Sequence, residues 1–387
     1  LFMHDIPPPT QPNTHTMSYA DDLTVLAQHP KHETAAENLQ DYIYTLENWL
    51  NHNRMKVSTN KSSLTLITPY NLEYRTNPHV TLNNSPIPVT PTTKILGVTL
   101  DRGMTFKQHT NDINTKAKNR LNVIRSLTHT TYGHSKEDIT TVYKQYIRPI
   151  LTYGHTAWQP DTSKTHIQNL QTTQNTALRI ATGCTKTTPT SHLHEETKIL
   201  PLTFHMDMRG TQAFTSIADP DHPLHHLQNP TLTRRNIHNT PATHYKNLHA
   251  SIPPEPVGVS LRTHVHTEFT RRALDSLSPN SLLGDRPPEV DGCERSLDRW
   301  RRVQLGRLRC GHSSLIPTYM HRIGQAPDDS CPACGLAPGN TEHVLLHCTQ
   351  TQTHRETHAI NSLEHLWTRP AAVMDFLLDA GIVQRPI

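Results

Sequence analysis

Thr16-Met17-Ser18-Tyr19-Ala20-Asp21-Asp22-Leu23-Thr24-Val25-Leu26 decides how the rest of the chain is read. Two neighbouring acids stand between short apolar runs. The flanks suit two strands, and Asp21-Asp22 suits the tight turn between them. A turn does not need two adjacent carboxylates: like charges repel, and Asn-Gly would serve as well. A divalent cation relieves that repulsion. Mg²⁺ prefers carboxylate oxygen and leaves its remaining positions to water and substrate phosphates. The pair therefore points to phosphoryl or nucleotidyl transfer. The competing reading is an ordinary Asp-rich turn, and the residues downstream of Leu26 decide between them.

The chain has 387 residues, room for two or three domains. Only 34% of it is hydrophobic and 5% aromatic, while Pro (30) and His (29) are over-used. That composition suggests ordered blocks joined by poorly packed connections. A formal net charge of +4 permits a polyanionic partner without requiring one. No apolar run approaches the length of a membrane span, so no membrane partner is expected. No secretory leader is evident at Leu1, and the chain reads as the C-terminal part of something longer.

After the hairpin, Thr34-Ala35-Ala36-Glu37 reads as a capping box. Ala35, Leu39, Tyr42, Ile43, Leu46, Trp49 and Leu50 then recur at helical spacing. Strands are expected at Leu64–Ile67, at 79–82, at 87–89 and at Lys94–Asp101, where Gly97 suggests a bulge or close backbone approach. From 107 the pattern turns helical. Ile113, Ala117, Leu121, Ile124 and Leu127 share a face; Ser135 to Asp138 cap a second helix, bent near Arg148-Pro149; a third runs over 163–182. Together with a shorter helix within 185–205 they suggest a small bundle. Residues 219–260 are rich in Pro, His, Asn and Thr and read as a linker, disordered on composition. Residues 294–310 form a basic helix whose Arg299, Arg301, Arg302, Arg307 and Arg309 suit phosphate contacts, against the plainer reading of a solvated face.

Three of the six cysteines lie near the end, in Cys331-Pro332-Ala333-Cys334, then His343, then Cys348: C-x2-C-x8-H-x4-C. Two thiolates two residues apart grip one side of a tetrahedral ion, and the His and last Cys close it. Zn²⁺ suits such a set as a closed structural site, and this argues for a reducing compartment rather than disulfides. His347, one turn from His343, competes with Cys348 for the fourth place. Gly335 and Gly339 are expected to let the chain turn between the halves.

In this order the signals resemble one family. A Tyr19-Ala20-Asp21-Asp22 hairpin is followed by an amphipathic helix ending in Trp49, a Lys-bearing segment and Ile95-Leu96-Gly97-Val98. A bundle containing Tyr143-Lys144-Gln145-Tyr146-Ile147-Arg148-Pro149-Ile150-Leu151-Thr152-Tyr153-Gly154 and a Cys/His knuckle complete it. The series is similar to the reverse transcriptase of non-LTR (LINE-type, jockey-like) retrotransposons. Phe2-Met3-His4-Asp5-Ile6-Pro7 resembles the segment before the box. The resemblance implies an RNA-directed DNA polymerase that joins nucleotides to a primer 3′-hydroxyl by a two-metal route. It implies Asp21 and Asp22 as Mg²⁺ ligands, Tyr19 beside the substrate, and Lys61 assisting the pyrophosphate. Leu96-Gly97 would grip the primer end, and 107–205 would be the thumb. Ser58 stands where the family usually has Asn. RNA template, DNA primer and deoxynucleoside triphosphate are the implied partners, and the nucleus or cytoplasm the implied compartment. Oligomeric state is not implied.

The family's third carboxylate comes from an earlier palm strand; before Asp21 this chain's only acid is Asp5. The expected fold is therefore α+β: a partial polymerase palm with its primer-grip strand over 1–105, a thumb-like bundle over 106–218, a linker over 219–260, and a basic helix with zinc knuckle over 261–387. Alone, it is expected to be inactive. No RNase H domain is expected in 206–290. One rival is a non-catalytic nucleic-acid binder acting through the basic helix and the knuckle; another is a decayed chain that does not fold stably.

Overall fold

The computed structural model describes residues 4–217, 220–225, 241–336 and 338–385. The chain forms two compact units, residues 1–112 with 161–166, and 113–160 with 167–387.

The first unit is built on one helix. Strands β1 (Thr14–Tyr19) and β2 (Asp22–Ala27) pair antiparallel, with Tyr19 opposite Asp22 at the tip. Helix α1 (His32–His52) buries Tyr42, Leu46 and Leu50 beneath Leu23 and Val25 of β2, with Ile6, Trp49, Met55 and Val57 completing the cluster. The Tyr42 hydroxyl donates to the Pro7 carbonyl at 3.0 Å, tying the proline-rich segment to the helix. The expected capping box is not used, because α1 starts at His32: the Ala35 N–H already reaches the Lys31 carbonyl, so Thr34 faces no orphan donor.

Three expected strands take other forms, 87–89 among them, where Val89 makes only an isolated bridge. Of Leu64–Ile67, only Leu64 pairs, in a single parallel bridge to Val89. Pro86, Pro88 and Pro91 lack the N–H that a longer ladder would need. Residues 94–101 are not one strand. They belong to a hairpin of β5 (Thr92–Ile95) and β6 (Val98–Asp101), and Leu96 and Gly97 are its turn, at φ 45° and 88°. Positive φ at both central residues is what a two-residue hairpin turn asks for, and it explains Gly97 better than a bulge does. A shorter hairpin, β3 (Thr81–Leu82) with β4 (Ser85–Pro86), turns the same way through Asn83 and Asn84.

The second unit is helical: α2 (Lys107–Leu127, from Ile113 on), α3 (Lys136–Val142), α4 (Arg148–Thr152), α5 (His155–Trp158), α6 (Lys164–Thr182, from Ile167 on), α7 (Thr190–Thr197), α8 (Leu202–Ser216), α9 (Pro241–Ala250), α10 (Leu261–Asp275), α11 (Arg299–Arg309), α12 (Pro317–Arg322), α13 (Gln352–Thr357), α14 (His365–Thr368) and α15 (Pro370–Asp379). The Ser135–Asp138 capping box forms as expected, with the Asp138 N–H on Ser135 Oγ at 3.1 Å. Ahead of Pro149 the helix widens at Tyr143–Ile147, the Arg148 N–H reaching back to Tyr143. Such a turn absorbs the missing N–H and ring clash that proline brings.

Helix α9 lies inside the stretch expected as a linker. Tyr245 is buried, and the face of α8 at Gly210 has room for its ring where a Cβ would collide with it. The Tyr245 hydroxyl donates to Gln159 at 3.1 Å. One aromatic seated on a glycine orders a segment whose composition alone predicts disorder. Residues 219 and 226–240 of that stretch lie outside the described residues.

The helices from Ile113 on and the C-terminal region fall in one compact unit. Arg309 is fully buried and bridges Glu196 of α7 at 3.0 Å and Glu294, while Lys136 of α3 reaches the same two acids at 2.6 and 3.5 Å. Two cations and two anions close a neutral network inside the protein. Around it, Trp300, Leu305 and Leu308 of α11 join Ile316, Tyr319, Val344, Leu345, Leu366, Trp367, Phe376 and Leu377 in one core.

Candidate functional site

Hydrogen bonding across Tyr19 and Asp22 leaves Ala20 and Asp21 as a two-residue turn. Ala20 takes φ +54°, a left-handed value costly for a residue with a Cβ. The turn presents Asp21 and Asp22 side by side and exposed; Leu23 and Val25 face the helix, so Asp22 faces away from it. Tyr19 is exposed as well. Two adjacent, hydrated carboxylates fit a hard cation that keeps water and phosphate in its other positions. No third acid joins them among the described residues. Lys61 sits exposed on a short turn, Thr59–Lys61, and no hydrogen bond or ion pair links it to either aspartate. The structure thus brings Asp21, Asp22 and Tyr19 together. Leu96, half exposed, and Gly97 stand at the tip of a separate hairpin in the same unit.

In the second unit Cys331, Cys334, His343 and Cys348 converge, each offering a ligand atom within 4.8 Å of the others. Cys331 Sγ and Cys348 Sγ are 3.9 Å apart, and Cys334 Sγ and His343 Nε2 are 3.3 Å apart. Zn–S and Zn–N bonds at tetrahedral angles give edges of about 3.8 and about 3.6 Å, so the four atoms fit zinc. Local structure explains the convergence. The Gly335 N–H closes on the Cys331 carbonyl at 2.8 Å, and Gly335 takes φ +69° to reverse the chain. Gly339 is needed for space instead: a Cβ there would sit 3.1 Å from the Cys331 Cα. In a regular helix, residues five apart point about 140° away from each other. His343–His347 is a widened turn in which the Cys348 N–H reaches the His343 carbonyl at 2.8 Å, bringing both side chains to one side. His347 is left exposed beside Glu342 at 3.4 Å, outside the cluster. The fourth place therefore goes to Cys348. Cys331 and Cys348 are buried, so the site backs onto the core.

The arginines of α11 are turned to structural use. Arg299, Arg302 and Arg309 are buried. Arg299 donates to the carbonyls of Ile180 and Ala181, and Arg307 to that of Gly183, so both serve the carboxyl end of α6. Arg302 pairs with Glu137, and Arg301 lies between Asp298 and Asp375 at 3.6 and 3.7 Å. Burial pulls the Arg299 guanidinium down to about 10, the mark of a cation taken from water. The expected phosphate-binding face is thus spent on internal contacts.

Sequence reading missed a better cationic surface on α2. Lys116, Lys118, Arg120 and Arg125 are exposed, with Lys144 beyond the next helix, and none has a salt bridge among the described residues. The Arg120 guanidinium lies 4.2 Å over the Tyr146 ring. The signal was in the sequence: after Asp112, α2 carries four cations and no acid.

Residues 1–100 match the family of the reverse transcriptase (RNA-dependent DNA polymerase). The chain is 30% identical over 202 residues, 51% of its length, to the probable RNA-directed DNA polymerase from transposon X-element of Drosophila melanogaster, of which it covers 22%. It is 29% identical over 167 residues to the probable RNA-directed DNA polymerase from transposon BS of the same species, over 43% of this chain and 18% of that one. It is 28% identical over 166 residues to the RNA-directed DNA polymerase from mobile element jockey of Drosophila funebris, again over 43% and 18%. The chain thus spans about a fifth of the length of these curated relatives. The Tyr19–Asp22 hairpin lies inside the matched region, and it is through residues 1–100 that the chain is similar to the reverse transcriptase family, with a jockey polymerase among its relatives.

Proposed function

We propose that this chain contributes part of the site and the helical body of an RNA-directed DNA polymerase, with RNA template, DNA primer and deoxynucleoside triphosphate as its partners. The observation that carries the proposal is the two-residue turn presenting Asp21 and Asp22 side by side within the matched segment. Asp21 and Asp22 would hold Mg²⁺, which when bound would activate the primer 3′-hydroxyl and neutralise the departing pyrophosphate. Tyr19 flanks the nucleotide, Lys61 is the cation offered to the leaving group, and the Leu96–Gly97 turn supports the primer end. The exposed cations of α2 with Lys144, rather than α11, follow the nucleic-acid backbone, with Tyr146 available for stacking.

Cys331, Cys334, His343 and Cys348 would hold Zn²⁺ as a staple. The burial of Cys331 and Cys348 favours a structural duty over direct contact with nucleic acid, and the burial of Arg299, Arg302 and Arg309 speaks against a binder working through α11. With two carboxylates assembled rather than three, this chain alone is expected not to extend an oligo(dT) primer on poly(rA) with Mg²⁺. Sustained extension by the isolated chain, abolished in Asp21→Asn, would show that its own residues complete the site.

A further inference from the structure

Between Asp112 and Glu137 the chain carries Lys116, Lys118, Arg120, Arg125 and Lys136 and no acid. Just past the end of α2 this stretch closes a tight turn, His129–Tyr132. The His129 N–H donates to the Tyr132 carbonyl at 2.9 Å, and the His134 N–H to the Leu127 carbonyl at 3.2 Å. Thr128 and Gly133 pair across the base of the turn in an isolated antiparallel bridge. Gly133 takes φ +102°, and a Cβ there would sit 2.6 Å from the Leu127 oxygen, so the turn closes this way only with glycine. Buried Arg299 of α11 donates to the His129 carbonyl at 3.1 Å and braces the turn from within. The two rings are left outside. Tyr132 is 67% exposed and His129 is exposed, and they stack with centroids 5.3 Å apart and planes 23° from parallel.

The backbone of this turn is held from several directions, yet its largest apolar surface faces water and packs on nothing but His129. A fixed, open aromatic face suits a flat guest that stacks. The charge around it selects the guest. Arg125 stands in the last turn of α2, four residues before His129, and Lys118 lies two turns further back on the same face; both are exposed. A basic partner would be repelled there, whereas a polyanion that also carries flat rings is matched on both counts. We propose that the His129–Tyr132 turn is a stacking platform for one unpaired base of a single-stranded nucleic acid following the cations of α2. The platform rests on the reading of α2 as a nucleic-acid track, and it adds a preference for single strand at the far end of that track. A base inside a duplex has both faces covered by its neighbours and has none to offer Tyr132.

The test uses the full chain and a fluorescein-labelled single-stranded RNA of about 12 nucleotides, with an RNA–DNA duplex as the control. Tyr132→Ala and Tyr132→Leu are each expected to weaken single-strand binding roughly tenfold, the loss of one stacked base, and to change duplex binding by less than about twofold. Tyr132→Trp should bind the single strand at least as well as the parent, because it keeps an aromatic face where leucine keeps only apolar bulk. Tyr132 is exposed, so these variants keep the fold, and unchanged thermal melts check it. An RNA carrying 2-aminopurine should dim on binding the parent chain and the tryptophan variant, and stay bright on the leucine variant. The double variant Lys118→Ala with Arg125→Ala reads the track separately and should weaken single strand and duplex alike. Full affinity in that double variant, with the tyrosine effects intact, contradicts the track and keeps the platform. Full single-strand affinity in Tyr132→Ala and Tyr132→Leu, or an equal loss on the duplex, overturns the platform whatever the track does.

Discussion

At the scale of single residues, two local constellations were legible in the sequence and one was not. The Cys/His set could be read because metal ligands recur at fixed short spacings. Only the choice between His347 and Cys348 needed the fold, since it depends on a widened helical turn that no spacing rule reveals. The zinc reading makes a sharp prediction. The chain should bind one zinc, Cys348→Ala or His343→Ala should lower the affinity by orders of magnitude, and His347→Ala should leave it unchanged; metal content after dialysis against a weak chelator reads this out. Asp21 and Asp22 were legible for a similar reason, as both lie in one tight turn. The duties of Arg299, Arg302 and Arg309 were illegible because their partners are distant in the chain: Ile180 and Ala181, Glu137, and Glu196. A run of arginines looks alike in sequence whether it faces phosphate or a buried carboxylate.

At the scale of elements, helices α1, α2, α3 and α6 were visible from apolar periodicity because each packs one stripe inward. Short strands were not, because turn chemistry outweighed the apolar pattern. Ile95-Leu96-Gly97-Val98 reads as a strand interior, yet positive φ at Leu96 and Gly97 makes it a tip. Helix α9 escaped notice because a single tyrosine in a glycine notch holds it. The contrast between α2 and α11 can be tested directly. Alanine at Lys116, Arg120 and Lys144 together should weaken binding of the chain to an RNA–DNA duplex. The steepness of its salt dependence should fall by roughly one for each phosphate no longer neutralised. Arg309→Gln should leave duplex affinity unchanged in the folded protein while costing roughly 3–5 kcal/mol of stability, because it strands a buried carboxylate. Fluorescence anisotropy across salt and denaturant unfolding separate the two effects.

At the scale of the whole molecule, a neutral four-charge network ties α3, α7, α11 and Glu294 together within the larger of the two units. That design implies acid sensitivity. Burial holds His155 down to about 4, so in the native unit it stays neutral where the unfolded chain would take up a proton. Its contribution is fully present above the ordinary histidine value of about 6.5 and is lost as pH falls towards 4, amounting to roughly 3 kcal/mol. Glu196, held well below the usual carboxylate range despite burial by Lys136 and Arg309, adds a second loss below about 4.5. The second unit should therefore lose stability steadily from pH 6.5 downwards, and His155→Gln should flatten the first part of that slope in denaturant melts. The functional claim is that Asp21-Asp22 is a polymerase hairpin and not merely a charged turn. It is tested most directly by replacing the matching segment of the jockey polymerase with residues 1–100 of this chain and measuring Mg²⁺-dependent primer extension on poly(rA). Extension that falls at least a thousandfold with Asp21→Asn is the predicted result; a folded, duplex-binding chimera that does not extend, or extends equally well with Asp21→Asn, would contradict it.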